Sequence, residues 1–100
     1  MPDLEMISPK MIDRYRNRQD TLIIDLRSEA EYAKYHIAGA LHIDYEDIDA
    51  LFALPKDKTI ILCCERGASS MNRAKEMSRK GYRVKSLIGG MNGYLSFHSK

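Results

Sequence analysis

The sequence predicts an α/β fold: a mostly parallel sheet of about five strands flanked by helices on both faces. Two observations carry this. Short apolar runs of strand character alternate with segments of helical period through all 100 residues, and that alternation builds parallel sheets joined by crossover helices. The runs Leu22-Ile23-Ile24-Asp25-Leu26 and Thr59-Ile60-Ile61-Leu62-Cys63 are rich in β-branched residues and bounded by polar ones, as in strands buried on both faces. No segment is low in complexity and no internal repeat interrupts the pattern, so residues 1–100 read as one domain.

Residues 4–7 form a short first strand. Ser8-Pro9 then reads as a helix N-cap with proline at the first helical position. Met11, Ile12 and Tyr15 supply the apolar stripe of a helix ending near Arg18. Residues 22–26 are the clearest buried strand. Ser28 followed three residues later by Glu31 is a capping box, which places a helix over 29–35. Residues 41–43 make a short strand. Ile48, Leu51 and Phe52 fall at helical spacing and predict a helix over 46–53, ended by Pro55. Residues 59–63 are the second buried strand. Glu65 to Ser69 have the small residues of a tight loop, and 70–80 read as a helix with Met71, Ala74 and Met77 inward and Gly81 as its C-cap. Residues 84–88 are the last strand. Gly89-Gly90 turns the chain into a terminal helix over 91–96.

Composition removes several classes of function. Sixteen basic against fourteen acidic residues give a net charge of +2, too balanced for a dedicated nucleic-acid binder. Apolar runs of only a few residues exclude a transmembrane helix. The acidic start Met1-Pro2-Asp3-Leu4-Glu5 is unlike a secretory signal, so a cytoplasmic protein is expected. Cys63 and Cys64 are adjacent and cannot cross-link distant segments, which excludes a disulfide scaffold. Without further cysteine or histidine at ligand spacing, a zinc site is not expected either. Neither a metal nor an organic cofactor is called for.

In parallel sheets, ligand sites lie past the carboxyl ends of the strands, which points to the loop after Cys63. Cys64 ends the strand, and Glu65-Arg66-Gly67-Ala68-Ser69 is too short for anything but a cradle of inward backbone N–H groups. The following helix adds the positive end of its dipole. Such surroundings favour a thiolate, the nucleophilic form of cysteine. The same concavity suits an anionic substrate head. Gly67 gives the turn its backbone freedom, Ser69 and Ser70 offer hydroxyls, and Arg66 brings a positive charge. Cys63 instead continues the strand as a small core residue. Cysteine phosphatases need arginine six residues after the nucleophile, but Ser70 and Ser69 stand six after Cys64 and Cys63. Without that planar donor, a phosphoryl transition state loses its bidentate clamp.

Three ordered motifs make the chain resemble the single-domain rhodanese family. They are Ile24-Asp25-Leu26-Arg27 with Glu31-Tyr32 and His36-Ile37-Ala38-Gly39-Ala40; the loop Cys64-Glu65-Arg66-Gly67-Ala68-Ser69-Ser70; and Gly81-Tyr82-Arg83-Val84 with Leu87-Ile88-Gly89-Gly90. Together they span nearly the whole chain. The resemblance implies a rhodanese-like fold and sulfurtransferase activity. Cys64 would take sulfane sulfur from thiosulfate or a related small anionic donor, hold it as a persulfide, and pass it to a thiol, cyanide or protein acceptor. It also implies that backbone N–H groups of Glu65 to Ser70 stabilise the persulfide, and that the six-residue loop Cys64 to Ser69 is of sulfurtransferase length. Ser69 stands where many members have arginine, Tyr94 where tryptophan is usual, and Asn72 and Arg73 where small apolar residues are common.

Among the remaining residues, His36 reads as a loop anchor. Asp25 and Arg27 either reach the site or pair locally and shape the loop. Tyr32, Tyr35 and Met71 read as packing, and His42 and His98 carry no signal. Six bases (Arg73, Lys75, Arg79, Lys80, Arg83, Lys85) follow the loop in sequence and are expected to draw anionic donors or an acidic acceptor to it. Three other functions compete: a protein-partnered persulfide shuttle or redox-sensing module using the same cysteine, a non-enzymatic binding module, and an oxyanion reductase or phosphatase. The fold alone does not choose among them.

Overall fold

A computed structural model describes residues 3–65 and 67–98. Five parallel strands, β1 (Asp3–Ile7), β2 (Thr21–Asp25), β3 (Leu41–His42), β4 (Thr59–Cys63) and β5 (Arg83–Leu87), form one sheet in the order β1-β5-β4-β2-β3. The chain runs outward from β1 through β2 to β3. It then returns, inserting β4 and β5 between β2 and β1. Register follows the expected pairing, with Ile24 opposite Leu62 and Ile60 opposite Val84.

Four helices, α1 (Glu29–Lys34), α2 (Ile48–Leu51), α3 (Ala68–Arg79) and α4 (Gly90–His98), cover the sheet together with a 3₁₀ segment, Pro9–Arg14. Alternation along each strand makes two cores. Ile7, Ile23, Ile61, Cys63 and Leu87 pack on one face against Ile12, Met91 and Tyr94. Ile24, Ile60, Leu62 and Val84 pack on the other with Leu51, Ala74 and Met77. The outward connections therefore use the first face and the returning helices α2 and α3 the second.

The predicted helix over 9–18 is instead a shorter 3₁₀ segment, and Ser8 makes no side-chain cap. Its single fully buried anchor is Ile12. The link must also climb back along a whole strand, and a 3₁₀ turn rises about 2.0 Å per residue against 1.5 Å for an α-helix. The capping box at α1 is formed as read: Glu31 N–H donates to Ser28 Oγ at 3.2 Å, and Ser28 Oγ donates to Glu31 Oε1 at 3.1 Å. The helix predicted over 46–53 is only the four residues of α2, capped by Asp47, whose carboxylate accepts from Ala50 N–H at 3.2 Å. Strand β4 has the predicted bounds. Among the described residues, no helix is long and apolar enough to cross a membrane.

Candidate active site

Cys64 follows β4, the middle strand, at the carboxyl edge of the sheet. Its side chain turns to the face covered by α3 and is 6% exposed. Two backbone donors converge on it: Gly67 N–H reaches Sγ at 3.0 Å and Ser70 N–H at 3.4 Å. Both lie at the start of α3, where N–H groups have no helical acceptor and the helix dipole is positive. The sulfur thus takes the place of a capping side chain. Such donors stabilise negative charge on sulfur.

The sequence predicts a helix from Ser70, but α3 begins at Ala68, and the loop proper is only 64–67. The reason is Gly67, whose φ of 100° turns the chain sharply enough to start the helix at once. A Cβ there would also sit 3.4 Å from Gly89 N and 3.5 Å from the Leu87 carbonyl. Replacing Gly67 by alanine should therefore displace the N–H nearest the sulfur. The expected result is a loss of about 1–2 kcal/mol of stability and a fall of about 10²-fold in the rate of sulfur uptake by Cys64. Denaturant melts and single-turnover kinetics would check both, and an unchanged rate would remove Gly67 N–H from the account.

The loop is also held from outside. Met91 N–H donates to the Cys64 carbonyl at 2.6 Å and Asn92 N–H to the Glu65 carbonyl at 3.0 Å, so the start of α4 spends its free donors on the loop. The Ser70 hydroxyl is expected to meet substrate. It donates instead to the Gly67 carbonyl at 3.0 Å and accepts from Ser86 Oγ at 2.8 Å, tying the loop to β5. Only the backbone of Ser70 faces the sulfur. Glu65, Ala68 and Ser69 line the opening beside Cys64, a depression of about 390 Å³. Arg66 lies outside the described residues.

Cys63 points into the opposite core and donates to the Ile24 carbonyl at 3.6 Å. Burial first, then the Asp25 carboxylate, pushes its thiol far above the usual range, so it stays protonated.

Asp25 and Arg27 pair with each other at the end of β2. Arg27 donates Nη2–H to Asp25 Oδ2 at 2.9 Å and Nε–H to Oδ1 at 3.1 Å, with the Asp25 side chain fully buried. Burial opposes the guanidinium charge, but the hydrogen bonds and charge of Asp25 outweigh it and raise Arg27 further. Arg27 also donates to the Tyr35 carbonyl. His36 is the anchor expected: Nδ1–H donates to the Tyr32 carbonyl at 2.8 Å, and its ring stacks on Tyr32 at 3.8 Å. His42, silent in the sequence, has a similar task, donating Nε2–H to the Arg27 carbonyl at 2.6 Å.

The basic run does not surround the opening. Helix α3 carries it away from Cys64, and Arg79 lies 11 residues beyond Ala68, about 16 Å at the helical rise. Two of its members are engaged elsewhere. Lys85 pairs with Glu5 at 3.1 Å, and Arg73 pairs with Glu76 at 2.6 Å. Arg73 also lies 3.9 Å over the Tyr45 ring and donates to the Tyr45 carbonyl at 2.9 Å, clasping α3 to the loop after β3. The sheet edge that carries Cys64 instead bears Glu29 and Glu31 at the start of α1, Asp44, Glu46 and Asp47 before α2, and Glu65. Glu31 is held below the usual carboxylate range, first by a hydrogen bond with the Glu65 carboxyl and then by Ser28.

The rhodanese-like domain family profile matches residues 8–97. The thiosulfate sulfurtransferase GlpE of Pseudomonas fluorescens is 34% identical over 92 residues, covering 90% of this chain and 84% of that protein. The tRNA sulfurtransferase of Desulfurococcus amylolyticus is 39% identical over 75 residues, which is 75% of this chain but 15% of that longer protein. The crystal structure of reduced Bacillus anthracis CoADR-RHD superposes with a TM-score of 0.85 at 29% identity, over 93% of this chain and 17% of that one.

Proposed function

This chain belongs to the rhodanese-like family, and from that premise we propose that it is a sulfurtransferase carrying sulfane sulfur on Cys64. Sulfur transfer is the activity named for the relatives that span most of the chain. The observation that carries the reading is the pair of N–H groups, from Gly67 and Ser70, directed at one exposable sulfur. The thiolate of Cys64 attacks the outer sulfur of thiosulfate. The S–S bond of the donor breaks and sulfite leaves with the electron pair. The persulfide left on Cys64 carries its negative charge on the terminal sulfur, within reach of the helix start. An acceptor such as cyanide then attacks that sulfur, forming thiocyanate and returning the thiolate.

Intact mass tests this. After thiosulfate and gel filtration, the protein should gain the mass of one sulfur atom, and cyanide should remove it. No gain under conditions where Cys64 still alkylates would rule out thiosulfate as donor, and no gain with a sluggish thiol would rule out the carrier role.

The Glu65 carboxylate at the opening favours a second reading of the donor. A dianion approaching Cys64 passes Glu65, which lines the opening, and Ser69 beside it brings no positive charge. A persulfide delivered by a protein partner avoids that repulsion. If the opening repels thiosulfate, its KM should fall as ionic strength rises from about 0.01 to 0.15 M, because the screening length shrinks from roughly 30 to 8 Å. Initial rates across that range check the sign. A rise in KM would mean an attractive opening and thiosulfate as a natural fit.

A further inference from the structure

A second depression, of about 450 Å³, lies at the other end of the sheet from Cys64. Ile48 and Phe52 line it from α2 and the turn after it, Lys56 from the approach to β4, Lys80 from the end of α3, and Tyr82 from the approach to β5. These segments meet at the amino edge of the parallel sheet, about one strand length, roughly 17 Å, from the sulfur. The volume falls in the range of small-molecule sites.

Its floor is fixed. Tyr82 is buried, and its hydroxyl donates to the Phe52 and Leu54 carbonyls at 3.0 and 2.7 Å. The Phe52 ring leans on it at 6.3 Å and 56°. The Tyr82 hydroxyl and ring are therefore engaged within the protein, and the half-buried Ile48 and Phe52 side chains offer the apolar surface. The rim is cationic. Lys56 Nζ lies 5.5 Å from the Tyr82 ring centroid, and no carboxylate lines the depression. Among the described residues, neither Lys56 nor Lys80 forms an ion pair. An apolar floor beside two unneutralised ammonium groups is complementary to one kind of small molecule, an apolar body bearing an anionic head. A neutral apolar ligand leaves the ammonium groups unanswered, and a bare anion leaves Ile48 and Phe52 unused.

We propose that this cleft binds a small apolar carboxylate, acyl or aryl, with its body on Ile48 and Phe52 and its carboxylate between Lys56 and Lys80. The site is separate from the sulfur chemistry and stands whether or not Cys64 carries sulfur.

Octanoate is the probe, followed by amide shifts in isotope-labelled full-length protein. The expected result is saturable shifts centred on Phe52, Lys80 and Tyr82 with a Kd of about 1 mM or tighter. Octanol, which has the tail without the charge, should bind at least about fivefold more weakly. Lys80→Glu should weaken octanoate by a similar factor, leave octanol unchanged and leave sulfur uptake at Cys64 intact. Lys80 follows α3, where a cation favours the helix end, so Lys56→Glu repeats the test should the first variant fail to fold. Shifts that do not saturate by about 10 mM, shifts centred on the Cys64 loop, or octanoate binding indifferent to charge reversal would each overturn the proposal.

Discussion

Cys64→Ser should lower sulfur transfer by about 10⁴-fold or more, the scale of a deleted nucleophile. A serine oxygen is far less polarisable and forms no persulfide, so no partial substitute for the carrier remains. The fold should survive, because a hydroxyl is the customary acceptor at a helix start and can take the N–H groups of Gly67 and Ser70 that now point at sulfur. Cys63→Ser makes the contrast. Cys63 lies in the opposite core and donates only to the Ile24 carbonyl, so that variant should lose stability and retain turnover. Steady-state thiocyanate formation with matched circular dichroism separates the two. Turnover retained in Cys64→Ser would sink the assignment of the carrier.

Asp25→Ala should cost about 3–5 kcal/mol, the usual penalty for removing one partner of a buried ion pair. The change strands the Arg27 guanidinium, whose side chain is 8% exposed, and removes the acceptor of the Arg27 backbone N–H at 3.0 Å. Against a total stability of about 5–15 kcal/mol, that is a large share. For a chain of this size it amounts to a drop in Tm of roughly 15 °C or more. Replacing both partners together with leucine should cost less than removing Asp25 alone, since no charge is then left buried. A thermal melt decides it: a shift of only a few degrees in Asp25→Ala would mean that water reaches Arg27 and that the pair is not an enclosed one.

What the sequence made legible was local. The bounds of β4, the capping box at α1 and the position of Cys64 just past β4 all follow from patterns within a few residues. What it concealed depends on contacts between distant segments. The start of α3 was misplaced because Gly-Ala-Ser-Ser reads as loop. The helix begins there because Gly67 turns the chain and because a sulfur three residues back accepts the free N–H groups, a partner no capping rule anticipates. Arg73 is counted by sequence among the bases that draw anions to the loop, yet its place is set by Tyr45, 28 residues earlier. The basic run looked adjacent to the site because it follows in sequence, whereas a helix moves each successive residue away from the edge where it started. The acids that do share that edge are scattered over three separate segments, and only the sheet brings them together.

The opposite facing of Cys63 and Cys64 has a consequence for damage. If peroxide converts Cys64 to a sulfenic acid, its nearest cysteine by sequence lies on the far side of the backbone and cannot condense with it. The chain has no other cysteine, so it holds no resolving thiol of its own. Recovery then depends on a thiol supplied from outside, and further oxidation to the sulfinic acid competes directly with that encounter. The supply of external thiol therefore sets how quickly Cys64 is restored after oxidation.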